Sequence, residues 1–99
     1  MPKLEPDNRR IFQALSDPTR FAVVEKLSKG PAKVTDLAAS FEMALPSFTQ
    51  HLRVLEASGL VRSEKLGRIR TFYLVPKRLR AAQEWLRKQR KSWDKRRAR

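Results

Sequence analysis

One stretch of this sequence, residues 46–60, has both ends of a helix marked and a two-sided pattern between them. Pro46 suits the first turn of a helix, because its missing N–H would have no partner there, and Gly59 suits the left-handed residue that ends one. Three apolar residues recur at steps of four and three and so share one face: Phe48, Leu52 and Leu55. The stretch therefore predicts a helix over 46–58 that docks on a core.

The opposite side of this helix is polar and carries Ser47, Thr49, Gln50 and Arg53. Hydroxyl, amide and guanidinium groups hydrogen-bond base edges or phosphates when a helix lies in the major groove. We therefore expect this face to contact double-stranded DNA. His51 lies beside the buried face, so its position favours a structural hydrogen bond or a phosphate contact over base recognition.

The charge of the chain is concentrated after this helix. The 99 residues have a formal net charge of +13, and residues 62–99 carry 15 Lys and Arg against 3 acidic residues, whereas residues 1–61 carry 8 against 7. A positive field beside a reading element suits a polyanionic partner such as DNA.

Composition also excludes several kinds of site. The chain has no cysteine and one histidine, so disulfides, thiolate metal sites and all-histidine metal sites are excluded, and we expect no metal and no cofactor. No apolar run approaches the ~20 residues that span a bilayer, and no signal-peptide core is present. We expect one cytoplasmic domain over 1–99, with no membrane contact, a loose arm at 1–6 and a basic tail at 94–99.

Three helices are expected before the central one. Asp7 or Asn8 caps the first, and Asp17 with Pro18 opens the second, which runs over about 18–28. Its apolar spacing predicts that Phe21, Val24 and Leu27 are buried. Thr35 or Asp36 caps a third helix over about 35–41, with Leu37, Ala38 and Phe41 facing inward. A short turn then leads into 46–58, which matches a helix-turn-helix, although an ordinary helical hairpin fits the same pattern.

Two strand-like runs follow, 60–66 and 69–75, separated by the tight turn Gly67-Arg68. Such a hairpin is a wing, with Phe72 and Leu74 facing the core. Its long cations could contact phosphates or a narrow minor groove, or could serve only to deter sheet-to-sheet aggregation: Arg62, Lys65, Arg68 and Arg70.

A last helix, from about 77 to the low 90s, has an apolar stripe that is too wide for so small a domain to cover. We expect the stripe to pack with the first helix against a second copy of the chain, in an interface formed by Ile11, Phe12, Leu15, Leu79, Ala82, Leu86, Gln89 and Trp93. Such a homodimer would hold two reading helices about 34–36 Å apart, opposite an inverted-repeat operator.

Three segments together resemble the ArsR/SmtB-type winged helix-turn-helix repressors: residues 14–20, residues 51–61, and Gly67-Arg68 before residues 72–74. The resemblance covers about residues 9–90. It implies a mainly α fold with a small β-hairpin, in the order α-α-α-α-β-β-α, dimerised through the first and last helices. It also implies a homodimeric transcriptional repressor that releases promoter DNA on a signal, here an unidentified small molecule or protein.

Two departures from the family pattern matter. Metal-sensing members use cysteines on the third helix or His and acidic ligands on the last, whereas this chain has Lys33–Leu37 on the third and only Glu84 and Asp94 on the last, so it resembles the cysteine-poor, autorepressor-like members. The family opens its recognition helix with a Ser-Gln-Pro type turn, and this chain has Ala44-Leu45-Pro46. The hydroxyl cap is lost, and Leu45 is expected either to contact a thymine methyl or to staple the turn.

Two other classes of function, RNA binding and catalysis, would need different features in the sequence. A basic RNA- or ribosome-associated winged helix would use exposed aromatics to stack on bases, and Tyr73 is the plausible one. An enzyme would need an orienting acid beside Ser47, Thr49 and His51, which the pattern lacks, so no catalytic residue is expected.

Overall fold

The computed structural model describes residues 7–97, so the expected arm at 1–6 and the last two residues of the tail lie outside the described part. Residues 7–97 form five helices and three strands in this order: α1 (Asn8–Leu15), α2 (Pro18–Leu27), β1 (Ala32–Lys33), α3 (Val34–Ala38), α4 (Leu45–Ser58), β2 (Val61–Leu66), β3 (Ile69–Leu74) and α5 (Pro76–Arg97). The order agrees with the sequence prediction except for β1, which the sequence did not reveal.

Aspartates cap the first two helices: Asp17 as the sequence predicts, and Asp7 rather than Asn8, the other residue that the sequence allowed. The Asp7 carboxylate accepts a hydrogen bond from the Arg9 N–H at 2.9 Å, and the Asp17 carboxylate accepts one from the Arg20 N–H at 3.0 Å. Each bond satisfies a backbone N–H that has no partner within its own helix. The pKa of Asp17 is lowered from its ordinary 3.8, mainly by the Arg20 N–H and further by the nearby His51 and Arg20.

The predicted start of α3 is wrong. The helix begins at Val34 after Lys33, which caps it without a side-chain bond, so Thr35 and Asp36 lie inside the helix. The reason is that Ala32 and Lys33 form β1, which pairs with β3 and fixes the backbone just before the helix. The result is a three-stranded antiparallel sheet in the order β1-β3-β2.

A single apolar core joins all these elements, and α1 contacts α2, α4 and α5 within it. In α2 the prediction of the buried face is partly wrong: Val24 and Leu27 are buried, but Phe21 is 50% exposed and Val23 is fully buried. The buried positions of α2 are thus 23, 24 and 27, one helical face turned by a fraction of a turn from the predicted one.

α5 is the longest element. It has 22 residues, about 33 Å at the usual helical rise. Leu79 and Ala82 pack on the core, whereas every residue from Gln83 to Arg96 is exposed, so the second half of the helix extends beyond the core of the protomer. Within residues 7–97, no helix has the length and apolar character needed to cross a bilayer.

We expect Asp17→Ala to lower the free energy of unfolding by about 1 kcal/mol, because α2 loses its N-cap. Urea unfolding at neutral pH measures the change. Asp17→Asn is the matched control, since an amide oxygen can still accept the Arg20 N–H bond. A destabilisation by Asn as large as that by Ala would contradict the capping role.

The stabilisation by Asp17 should also depend on pH. The folded-state pKa of Asp17 is lowered, so its charged form stabilises the fold above the ordinary value of 3.8. This contribution is lost as the pH falls below 3.8 and through the folded-state pKa. The stability difference between the wild type and Asp17→Asn should therefore narrow in acid, and a constant difference would argue against the charge.

Candidate nucleic-acid interface

One side of α4 is locked into the core. Phe48, Leu52 and Leu55 are each at most 1% exposed, and the Phe48 ring stacks on Phe41 with 5.2 Å between the ring centroids. α1, α2 and β2 pack against the helix. Gly59 ends it in the left-handed conformation, with φ at +84°, as the sequence predicts. The rotation of α4 about its own axis is therefore fixed by burial.

The side opposite the core carries the four residues predicted to contact DNA, which we call the outer face of α4: Ser47, Thr49, Gln50 and Arg53. Ser47, Gln50 and Arg53 are exposed, and Thr49 is half-buried. The Arg53 guanidinium donates to the Gln50 side-chain oxygen at 2.8 Å, so these two side chains form one unit. The Thr49 hydroxyl donates to the Leu45 carbonyl oxygen at 2.8 Å, which leaves it only as an acceptor. The outer face thus presents mostly N–H donors.

His51 makes a structural contact. Its Nδ1 lies 3.2 Å from the Arg20 guanidinium and 3.6 Å from the Asp17 carboxylate. Because arginine can only donate, Nδ1 accepts this bond in the neutral ring and the proton is then on Nε2. The structural hydrogen bond favoured for His51 is therefore present. The remaining Nε2–H is free to donate to a phosphate oxygen, and that contact stays a prediction.

Arg20 is a residue whose role sequence reasoning missed. Besides His51, its guanidinium reaches the last turn of α1, donating to the Ala14 carbonyl oxygen at 2.8 Å and the Gln13 carbonyl oxygen at 3.3 Å. One half-buried side chain thereby ties α1, α2 and α4 together. No local pattern could reveal this, because Arg20 and His51 are 31 residues apart in the chain.

The wing, formed by β2 and β3, has the predicted two-residue turn. Gly67 has a positive φ of +63°, and the φ of Arg68 is negative. This combination fits a type II′ hairpin turn with glycine at its first central position. Lys65 and Arg70 lie directly opposite each other in the register, on the sheet face that continues from buried Phe72. The wing therefore carries a pair of cations near its tip, with Arg68 in the turn itself.

The four wing cations are not equivalent. The Arg62 guanidinium donates to Glu64 at 2.9 Å and lies 4.2 Å from the centre of the Tyr73 ring. Arg70 donates to the Ser63 hydroxyl, which donates in turn to Glu56 of α4. In the described range 7–97, no hydrogen bond or ion pair holds the side chains of Lys65 and Arg68. The Arg62 guanidinium therefore occupies one face of Tyr73, the aromatic residue that the RNA alternative would use.

The face expected to bind a second copy is a groove between α1 and α5, lined by Phe12, Leu15, Leu79, Ala82 and Leu86 among others. Trp85 packs its ring on Phe12 at 5.5 Å and is itself 43% exposed. The prediction that Ile11 belongs to this interface is wrong, because the residue is fully buried in the core of the protomer and has no exposed surface to contact a second copy. Leu86 and Trp93 are more than half exposed along the same helix.

No group of three or more His, Cys, Asp or Glu side chains within residues 7–97 is arranged to hold a metal ion. The possible nucleophiles of α4 also do not converge, since Thr49 bonds to the backbone and His51 to Arg20.

Comparison with known proteins places this geometry in a family. A family model described as "Bacterial regulatory protein, arsR family" matches residues 17–63. The HTH-type transcriptional regulator Rv2034 of Mycobacterium tuberculosis is 42% identical over 72 residues, which are 73% of this chain and 67% of the relative. The transcriptional repressor SdpR of Bacillus subtilis is 28% identical over 77% of this chain and 84% of its own.

A solved structure agrees with both. The crystal structure of an ArsR family transcriptional regulator superposes with a TM-score of 0.85 and 47% identity, covering 89% of this chain and 98% of the other. These similar proteins are named as transcriptional regulators, not enzymes. The winged helix-turn-helix fold predicted from the sequence is confirmed.

We expect Arg20→Ala to lower the free energy of unfolding by about 1–2 kcal/mol, because two backbone carbonyls and His51 lose a charged donor. Thermal or urea unfolding measures it. Arg20→Lys is the matched control: it keeps the charge, but its single ammonium group cannot reach α1 and α4 together, so an intermediate loss is expected. An Arg20→Ala protein as stable as the wild type would show that this link does not hold α4.

Proposed function

Because this chain belongs to the arsR family of bacterial regulatory proteins, we propose that it is a homodimeric transcriptional repressor that binds an inverted-repeat operator in promoter DNA. In this proposal α4 lies in the major groove, and the wing contacts the phosphate backbone or the minor groove. Rv2034 and SdpR, which are similar to this chain, are named as a regulator and a repressor of transcription.

The observation that supports the proposal most directly is the exposed donor surface of α4. The Gln50 side-chain oxygen already accepts a hydrogen bond from Arg53. The Gln50 amide N–H groups and the remaining Arg53 N–H groups can therefore bind only hydrogen-bond acceptors on a partner. In the major groove the base edge with two acceptors is guanine, through O6 and N7. We therefore propose that the Arg53 and Gln50 pair contacts guanine in each half-site.

The wing supplies a different kind of contact. Lys65 and Arg68 are exposed near its tip, and phosphates attract such cations whatever the base sequence. The side chains of Arg62 and Arg70 have partners within the protomer, so they contribute mainly to the positive electrostatic potential of the wing. At the edge of α4, the Nε2–H of His51 is proposed to donate a hydrogen bond to a phosphate oxygen. The proposal thus assigns sequence recognition to α4 and sequence-independent attraction to the wing.

A second copy of the chain is proposed to cover the groove between α1 and α5. Exposed apolar side chains of this size on a protruding helix favour association, and Leu86 and Trp93 are spaced one heptad apart, as in helix-helix seams. The proposed interface is completed by Phe12, Leu15, Leu79, Ala82 and Gln89. Two-fold symmetry would place the two α4 helices about one DNA turn apart, roughly 34–36 Å.

Substitutions in α4 and in the wing should have different effects on DNA binding. An operator is first selected from random DNA by the purified protein. We expect Arg53→Ala to lower the preference for operator over random DNA by about 1–3 kcal/mol, because a base contact is lost. Arg68→Ala should weaken binding to both DNAs by the same factor and reduce the slope of log affinity against log salt by about 0.9. Fluorescence anisotropy at several salt concentrations measures both effects.

The two arginines serve as controls for each other, since each substitution removes one charge. If Arg68→Ala changed only discrimination, or Arg53→Ala weakened both DNAs equally, the proposed division of roles would be wrong.

The dimer is tested with two variants, each of which adds one negative charge to α5 at a different position. We expect the wild type to sediment as a dimer of the 11.5 kDa chain. Leu86→Asp should sediment as a monomer, because the buried carboxylate would lose its hydration. Ser92→Asp, at an exposed position among Lys88, Lys91 and Lys95, should remain dimeric. A dimeric Leu86→Asp protein would place the interface elsewhere.

A further inference from the structure

The entrance to α4 exposes apolar side chains and has no polar cap. Leu45 is the first residue of the helix and is 56% exposed, and Met43, two residues before it, is 36% exposed. Ala44 caps the helix without a side-chain bond. Of the two roles that the sequence left open for Leu45, stapling the turn requires a packed side chain, and this exposure disfavours it.

Leu45 belongs to a row of residues that runs along the outer face of α4. Leu45, Thr49 and Arg53 are spaced four apart, so they lie one above another on the helix. The Thr49 hydroxyl donates to the Leu45 carbonyl oxygen, which commits its only proton. The row therefore changes from apolar at the N-terminus of the helix to a guanidinium two turns later.

In the major groove, the base edges offer one strongly apolar group, the C5-methyl of thymine. We infer that Leu45 reads a thymine in each half-site by packing against this methyl group, with Thr49 beside it. The inference rests on the proposed function, since it requires that α4 lies in the major groove. It adds a second base to the guanine proposed for Arg53 and Gln50.

The test removes the methyl group and nothing else. In the selected operator, each thymine of one half-site is replaced in turn by deoxyuridine, and binding is measured by anisotropy. We expect one position to weaken wild-type binding about fourfold, the effect of withdrawing one buried methyl group. With Leu45→Ala the same replacement should have almost no effect.

Leu66→Ala is the matched control, because Leu66 is an exposed leucine, 85% accessible, at the tip of the wing. Because the wing is proposed to contact DNA, Leu66→Ala is judged by the ratio of its affinities for the thymine and deoxyuridine operators, and this ratio should equal that of the wild type. All three proteins should have the same thermal unfolding midpoint within error, since both leucines are exposed.

The outcomes separate this inference from the function on which it rests. If the protein selects no sequence from random DNA, the proposed function fails and the inference with it. If an operator is selected but no uridine replacement weakens wild-type binding, or Leu45→Ala keeps the dependence, the inference alone is overturned.

Discussion

The burial of one edge of α4 is the constraint on which the rest of the structure depends. Phe48, Leu52 and Leu55 have almost no exposed surface, and truncating any one of them would cost about 2–5 kcal/mol. This is a large share of the ~5–15 kcal/mol that holds a typical domain together. The helix therefore cannot rotate, and its outer face must point away from the core. The surface that we propose contacts DNA is therefore set by the same side-chain pattern that folds the domain.

Contacts outside the apolar core refine the position of α4 from two sides. On one side Arg20 joins the last turn of α1 to His51, and on the other Glu56 accepts from Ser63 of the wing, which itself accepts from Arg70. Each link involves a charged group, and such hydrogen bonds are stronger than neutral ones. α4 and the wing are thus positioned relative to each other, as the proposed contact of both with one DNA duplex requires.

The excess of cations is better explained by a partner than by stability. Exposed ion pairs such as Arg62–Glu64 and Arg87–Glu84 contribute little to folding, about 0–1 kcal/mol each. Residues 62–99 hold 15 basic side chains and 3 acidic ones, so most of these cations can only repel one another in the free protein. A polyanion such as DNA would relieve that repulsion, and Lys65 and Arg68 near the wing tip are the cations that we propose contact it.

The sequence alone determined the elements whose signals are local. These signals are the caps at Asp7 and Asp17, Pro46 in the first turn of α4, Gly59 at its end, and the Gly67 turn. Each acts within a few residues, so their patterns predicted the helices and the hairpin. The tertiary structure decided what depends on distant partners. It paired Ala32–Lys33 with β3, buried Val23 instead of Phe21, withdrew Ile11 into the core, joined Arg20 to His51 and left Leu45 exposed. Side-chain periodicity specifies which residues share a face, but only packing against other elements decides which part of that face is covered.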